Sequence, residues 1–380
     1  MSEEYSAAIK VYTTENLGKL SILDMLRYFE EKGVMRVSDL HIKVGAPPVY
    51  RIDGDLVKLK GARVAPDVAK KLIYPLLSDE NIQKLQTQHN VDCSYQIGAL
   101  QFRINVFKEN DGICAAIRAL SMNIPKVEDI GFPNDVWKDI INLKQGLVLI
   151  TGITGAGKST TIASLIDRIS ETRACRIITI EDPIEYIYQQ KYSIVSQREI
   201  GKDVESFVSG LRSMMRQDPD IIFVGEMRDS ETISMTLMAA ETGHLVFSTL
   251  HTRDVTGSIT RILDYFPSGR QGEVRNQLSL GLAYVICQKL VPKKDETGRI
   301  VAMEILNSTN YACANLIRTG KVEQLYSQLQ TKTRSGPDEK MVTMERHLAM
   351  LVKEDKIDIQ EAQKWANDIK CFVDALKQQD

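Results

Sequence analysis

Long apolar runs are missing from this 380-residue chain. None approaches the roughly 20 residues that a helical membrane span needs, so an integral membrane protein of that kind is not expected. The start, Met1-Ser-Glu-Glu-Tyr5, has neither a basic stretch nor an apolar one, so no secretory leader is expected there. Paired cysteines are missing too. The six (Cys93, Cys114, Cys175, Cys287, Cys313 and Cys371) are scattered without a C-x-x-C pair, which argues against a zinc ribbon or a disulfide framework. Their apolar neighbourhoods predict mostly buried packing residues in a reduced, cytoplasmic protein. Charge of one sign is scarce: the formal net charge of −2 gives no global attraction to nucleic acid or anionic lipid. Internal repeats and low-complexity tracts are absent.

What is present reads as two domains, since 380 residues exceed one ordinary core. Residues 1–121 mix helix and strand and predict a smaller α+β domain. Leu20 to Glu31 has helical periodicity, while Asp39–Lys43, Pro48–Asp53 and Leu56–Leu59 read as strands with a turn at Asp53-Gly54-Asp55. Gln101–Phe107 alternates polar and apolar residues, and Gly112–Arg118 is its expected antiparallel partner across Glu109-Asn-Asp-Gly112. Residues 122–136 hold two prolines and little periodicity and are expected to link the domains. In residues 137–380 apolar strands at 146–151, 176–181, 221–226 and 244–250 alternate with helices. This α/β pattern predicts a largely parallel, helix-covered sheet of the P-loop kind. Ser230 is expected to cap one of its helices and Gly243 to end it. From about residue 271 a helical region is expected, with one strand at 299–306 and a last helix capped by Asp358 and Glu361.

The chemistry concentrates after the strand Gly146–Thr151. Gly152-Ile153-Thr154-Gly155-Ala156-Gly157-Lys158-Ser159, followed by Thr160, keeps the spacing G-x-x-x-x-G-K-S. Glycines there let backbone N–H groups converge on a polyphosphate, Lys158 can reach its outer phosphates, and the Ser159 hydroxyl can ligate Mg²⁺. The helix that follows turns its positive end to the same anion. This pattern predicts nucleoside triphosphate binding. No Asn-Lys-x-Asp block is present to read guanine, so ATP is the expected nucleotide.

Hydrolysis also needs a metal, a polarised water and positive charge at the transition state. Asp220-Ile-Ile-Phe-Val-Gly-Glu226 is an apolar strand ending in a carboxylate, the Walker B form, so Glu226 is expected to hold Mg²⁺ or orient water. Glu181, after the apolar run 177–180, is the second candidate base, and sequence leaves the choice between the two open. Asp182 is expected to cap the turn at Pro183. His244 and His251 flank one strand, and both are expected to sense the γ-phosphate. Arg103 and Arg118, on the paired strands of the first domain, are the candidates for a transition-state arginine.

In order along the chain, the 152–159 loop, Ile180-Glu-Asp-Pro-Ile-Glu185, Gln197-Arg-Glu-Ile-Gly201, 216–229 and 240–252 resemble the Walker A, Asp box, Walker B and His box of the secretion-superfamily ATPases. Within that family the likeness is to the type IV pilus retraction motors. Ser38-Asp-Leu-His-Ile42 and Arg51-Ile-Asp-Gly-Asp55 resemble its PAS-like N-terminal domain, and the likeness covers roughly residues 20–345. The resemblance implies a RecA-like ATPase domain and a cytoplasmic homohexamer at the inner membrane's cytoplasmic face. It further implies ATP and Mg²⁺, arginines 103 and 118 completing the site, a membrane-embedded pilus platform protein as partner, and a paralogous pilus ATPase beside it. Nucleic acid is not an expected partner. One block departs: where retraction motors carry Ala-Ile-Arg-Asn-Leu, this chain has Ala312-Cys313-Ala314-Asn315-Leu316.

Overall fold

Alternation of apolar and polar residues in the first part of the chain puts one face of a sheet against helices. The computed structural model describes residues 6–378 apart from 34–35, 53, 99, 121–123, 296–297 and 336–339. Residues 1–5, Asp53 of the expected turn and residues 122–123 of the expected linker lie outside the described residues. The chain divides into two compact units, Met1–Asn123 and Ile124–Asp380.

In the first unit, β1 (Tyr12–Thr13) and β2 (Lys19–Leu20) form a small ribbon. Helix α1 (Ile22–Lys32) opens with a capping box in which Ser21 and Asp24 serve each other's backbone N–H. Then come β3 (Val37–Ile42), β4 (Val49–Ile52), β5 (Asp55–Lys58), α2 (Pro66–Ile73), α3 (Asp79–Gln88), β6 (Asn90–Ile97), β7 (Leu100–Glu109) and β8 (Gly112–Leu120). The six longer strands pair antiparallel in the order β5-β4-β3-β8-β7-β6. Phe102, Ile104 and Val106 project from one face of β7 into a core with Met25, Leu26 and Phe29 of α1 and Leu72 of α2. Phe29 and Phe102 meet edge to face at 5.3 Å. Asn110 and Asp111 join β7 to β8, with Glu109 paired to Gly112, as the turn composition predicts.

The second unit contains α4 (Val136–Asn142), β9 (Gly146–Thr151), α5 (Lys158–Thr172), β10 (Arg176–Glu181), β11 (Ile194–Glu199), α6 (Phe207–Met214), β12 (Ile221–Val224), α7 (Ser230–Glu241), β13 (Leu245–Leu250), α8 (Val255–Asp264) and α9 (Ser268–Gly281). Beyond them lie β14 (Leu282–Pro292), β15 (Arg299–Asn307), α10 (Tyr311–Arg318), α11 (Leu325–Ser335), α12 (Met344–Lys353), α13 (Ile359–Trp365) and α14 (Ile369–Lys377). The sheet order is β11-β10-β12-β13-β9-β14-β15, parallel throughout except for the antiparallel edge pair β14–β15. Both faces are covered. Leu147 and Leu149 of β9 enter one core cluster, whereas Val148 and Ile150 enter the other. Burial on both sides is why these strands read as unbroken apolar runs.

Four expectations need correcting. Residues 282–292 form a strand beside β9, so the helix expected after 271 runs only to Gly281, the end of α9, and helices resume once β15 has closed the sheet edge. Asp229, not Ser230, caps α7, its Oδ1 accepting the Thr232 N–H at 2.8 Å. Asp358 makes no side-chain capping bond, and Glu361 instead accepts from Lys364. The expected last helix is two: the Asn367 and Asp368 N–H groups donate to buried Glu345 Oε1, which holds the chain out of helical geometry between α13 and α14. The described part of residues 122–136 packs on the second unit, with Val127 buried beside Ile130 and Phe132.

Candidate functional site

The loop between β9 and α5 is shaped by positions that exclude side chains. Gly152 lies at φ +145°, and a Cβ there would come within 2.5 Å of the Gln288 carbonyl oxygen. Gly157 takes the left-handed conformation, φ +84°, immediately before α5. From β14, the Gln288 amide donates to the Ala156 carbonyl at 2.6 Å and fixes the back of the loop. Thr160 Oγ1, in the first turn of α5, shares a 2.8 Å hydrogen bond with the Tyr186 hydroxyl. Ser159 sits half-buried at the helix start.

Lys158 is buried. Its ammonium donates to the carbonyls of Gly152 at 2.9 Å and Ile153 at 3.2 Å and approaches His251 Nδ1 at 3.3 Å. Burial lowers its pKa, against the opposing pull of Glu226 and Glu185. An ammonium only donates, so Nδ1 of His251 accepts and the ring's proton belongs on Nε2. That nitrogen stands 3.3 Å from Glu226 Oε1. Glu226 Oε2 accepts from Arg228 Nε at 2.8 Å, and Arg228 reaches Asp182 Oδ2 at 3.4 Å. The hydrogen bond to Glu226 raises the Arg228 pKa further. Lysine, histidine, glutamate and arginine thus form one chain of contacts at the carboxyl ends of β9, β12 and β13, where such sheets bind ligands.

Glu181 closes β10 next to β12 in a different setting. It is 5% exposed, and its Oε1 accepts from Thr179 Oγ1 at 2.6 Å and Gln197 Nε2 at 3.3 Å. Burial pushes its pKa to about 7 despite those two bonds. Gln197 is itself oriented from both ends: its amide donates to the Tyr186 carbonyl and its Oε1 accepts the Tyr188 N–H.

His244 does not join this cluster. The register pairs Leu245 with Gly146 and Leu250 with Thr151, so His244 lies at the amino end of β13, roughly 20 Å of strand from the phosphate loop. Its Nδ1 rests on the Ala239 carbonyl at 2.9 Å, a structural contact at the end of α7. A histidine on each side of a strand of this length cannot serve the same end of the sheet. Arg103 and Arg118 face each other across β7 and β8 in the first unit. Arg118 Nε donates to Asp39 Oδ1 at 2.7 Å, Arg51 approaches the same carboxylate at 3.7 Å, and Arg103 stands 3.8 Å from Asp92. Although burial opposes it, the Ser38 hydroxyl and Arg118 hold the Asp39 carboxyl below its ordinary pKa.

Three polar residues of the site escape the sequence reading. Arg228 and Gln197 fall inside recognised blocks, yet nothing in those blocks marks them as partners of Glu226 and Glu181. Gln288 carries no signal at all, because its strand is not legible as one.

A parallel sheet with a glycine-cradled lysine beyond β9 and carboxylates at the same ends of β12 and β10 defines a P-loop ATPase of the RecA-like class. Residues 22–376 match the family described as Type II/IV secretion system protein. The type IV pilus retraction ATPase PilT of Pseudomonas aeruginosa is 40% identical over 91% of this chain and 98% of its own length. The type IV pilus ATPase PilU of the same organism is 34% identical over 92% and 90%. Among solved structures, the pilus retraction motor PilT with bound ADP aligns at TM-score 0.82 and 43% identity over 92% of this chain and 98% of that one. The Legionella pneumophila ATPase DotB aligns at 0.78 and 27% over 95% and 99%. The chain belongs to the Type II/IV secretion system protein family.

Proposed function

We propose that this protein is an ATP-hydrolysing motor that drives type IV pilus retraction, and hence twitching motility. We further propose that it works as a homohexamer at the cytoplasmic face of the inner membrane, against a membrane-embedded platform protein. The observation that carries the reading is the contact chain from Lys158 through His251 to Glu226, joined to the 40% identity with a retraction ATPase over 98% of that protein's length. Among the described residues no helix is long and apolar enough to cross a membrane.

In this reading the N–H groups of residues 152–160 and the start of α5 hold the phosphates of ATP. Lys158 exchanges the Gly152 and Ile153 carbonyls for β- and γ-phosphate oxygens. The Ser159 hydroxyl and the Glu226 carboxylate are oxygen donors of the hard type Mg²⁺ prefers, and both lie at the same end of the sheet. The metal would neutralise charge between β- and γ-phosphates. Glu226 orients the attacking water, with Arg228 and His251 holding its two oxygens apart. His251 reports on the γ-phosphate. Buried Glu181, at the same end of the neighbouring strand, takes a proton when ionised. Arg103 and Arg118, supplied from a neighbouring protomer's first unit, stabilise transition-state charge.

The test is pilus number and surface motility in the source cell carrying only Glu226→Gln. Abundant, immobile pili are expected. Bald cells would mean an assembly motor, and unchanged motile pili would contradict the reading.

One observation favours an accessory role beside a principal motor. The pair Cys313-Ala314 occupies the block where retraction motors carry Ile-Arg, and Cys313 is fully buried in α10. Co-purification with a tagged paralogous pilus ATPase would support that role, and a homogeneous ring would count against it.

A further inference from the structure

Strand β14 meets the phosphate loop with both the backbone and the side chain of Gln288. Its carbonyl oxygen crowds Gly152, and its side-chain nitrogen lies 3.2 Å from where a Cβ of Gly157 would stand. The residue is 1% exposed. Its Nε2 donates to the Ala156 carbonyl at 2.6 Å, whereas its Oε1 is buried with no partner among the described residues. A carbonyl only accepts, so the nitrogen must be the end that faces Ala156. A methionine would fill similar space without an orphaned oxygen, and a buried acceptor lacking a donor is costly. The amide is therefore accounted for by what Nε2 does.

What it does follows from the geometry of one peptide. The Ala156–Gly157 peptide is trans, so its C=O and N–H point in opposite directions. With the Ala156 carbonyl turned to β14, the Gly157 N–H is turned away from it. Among the described residues no backbone carbonyl accepts that N–H. The Thr161 N–H bonds the Gly157 carbonyl at 3.0 Å, so the start of α5 makes no claim on the Ala156 carbonyl and leaves it to Gln288. Turning this peptide over would put a carbonyl oxygen where an anion needs a donor. Gly157, at φ +84° and without a side chain, offers little steric resistance to that turn. The hydrogen bond from Gln288 supplies the resistance that the glycine lacks.

We propose that Gln288 is a positioning residue for nucleotide binding: it locks the Ala156–Gly157 peptide so that the Gly157 N–H is presented to a phosphate of the nucleotide. It touches no substrate and acts through the loop. The inference rests on the reading that residues 152–160 hold the phosphates of ATP. That N–H serves the ground state and the transition state alike, so its loss falls on affinity more than on kcat.

The experiment is titration calorimetry of the full-length protein with ADP, beside steady-state ATPase kinetics, for the parent, Gln288→Met and Gln288→Glu. Gln288→Met is expected to weaken ADP binding about tenfold or more and to raise KM for ATP to match, as a charge-assisted hydrogen bond loses its orientation. Its kcat is expected to stay within about threefold of the parent. Its unfolding temperature is expected to move by about 3 °C or less, because one orphaned acceptor, Oε1, is exchanged for another, the Ala156 carbonyl. Gln288→Glu tests the donor itself. Burial favours the protonated carboxyl, whose O–H can take the place of the amide N–H. Its deficit in ADP affinity against the parent is expected to shrink from about tenfold at pH 8 to about threefold at pH 6, while that of Gln288→Met stays constant. ADP affinity of Gln288→Met within about twofold of the parent overturns the inference, and so does the same pH dependence in both variants. A parent that fails to bind ADP removes the reading of the loop itself.

Discussion

Glu181 and Glu226 end neighbouring parallel strands, yet their surroundings divide them. Glu226 lies between Arg228 and His251, is linked through the histidine to Lys158, and keeps a side chain 18% exposed. Glu181 is enclosed, with a hydroxyl and an amide as partners and a pKa of about 7. The same residue type at the same end of adjacent strands is set beside an arginine and a histidine in one case and enclosed with a raised pKa in the other. Environment separates them: burial favours the protonated carboxyl of Glu181, whereas Glu226 is held by an ion pair with Arg228.

The largest effect expected is from removing the cation that ties this arrangement to the nucleotide. Lys158→Ala should lower ATP turnover by about 10³-fold or more, since it removes charge stabilisation of the transferring phosphoryl group. Unchanged turnover in the purified variant would remove the site assignment and the comparison with it.

The two histidines sharpen the comparison next. His251→Ala is expected to reduce turnover by about 10- to 100-fold, as it unlinks Glu226 from Lys158. His244→Ala, at the far end of β13, should stay within about twofold. Equal losses would contradict the separation.

Stability against pH probes Glu181 itself. Its folded pKa is raised from 4.5 to about 7, so the protonated carboxyl is favoured by folding. That stability is fully present below pH 4.5 and is lost as pH rises through 7. At pH 8 the buried charge costs about 3 kcal/mol, taking 1.36 kcal/mol per pKa unit. Glu181→Gln should therefore gain stability relative to the parent between pH 5 and pH 8, read as urea midpoints at the two values. A difference independent of pH would mean that Glu181 is not held in this way.

How much of this was legible in sequence follows from where physics constrains residue type. The phosphate loop is legible because its backbone geometry admits only glycine at positions such as 152 and 157. Glu226 and Glu181 are legible because a carboxylate breaks an apolar run at the functional end of a strand. The strand Leu282–Pro292 is not legible, since a continuous apolar run after a helix has no period to distinguish it from buried helix. Losing that strand also hides Gln288, the residue behind the loop. His244 misleads because proximity in sequence to a strand says nothing about which end of the sheet it reaches. The α13–α14 break depends on a contact 22 residues away, from Asn367 to Glu345, which no local pattern reports.

The division of labour between the two carboxylates is tested most directly by ATP affinity and turnover of purified Glu226→Gln and Glu181→Gln, measured side by side at pH 8. ATP affinity should be retained in both. Turnover should fall about 10³-fold for Glu226→Gln and about 10- to 100-fold for Glu181→Gln. The reverse order would make the buried carboxyl the principal base and contradict the account.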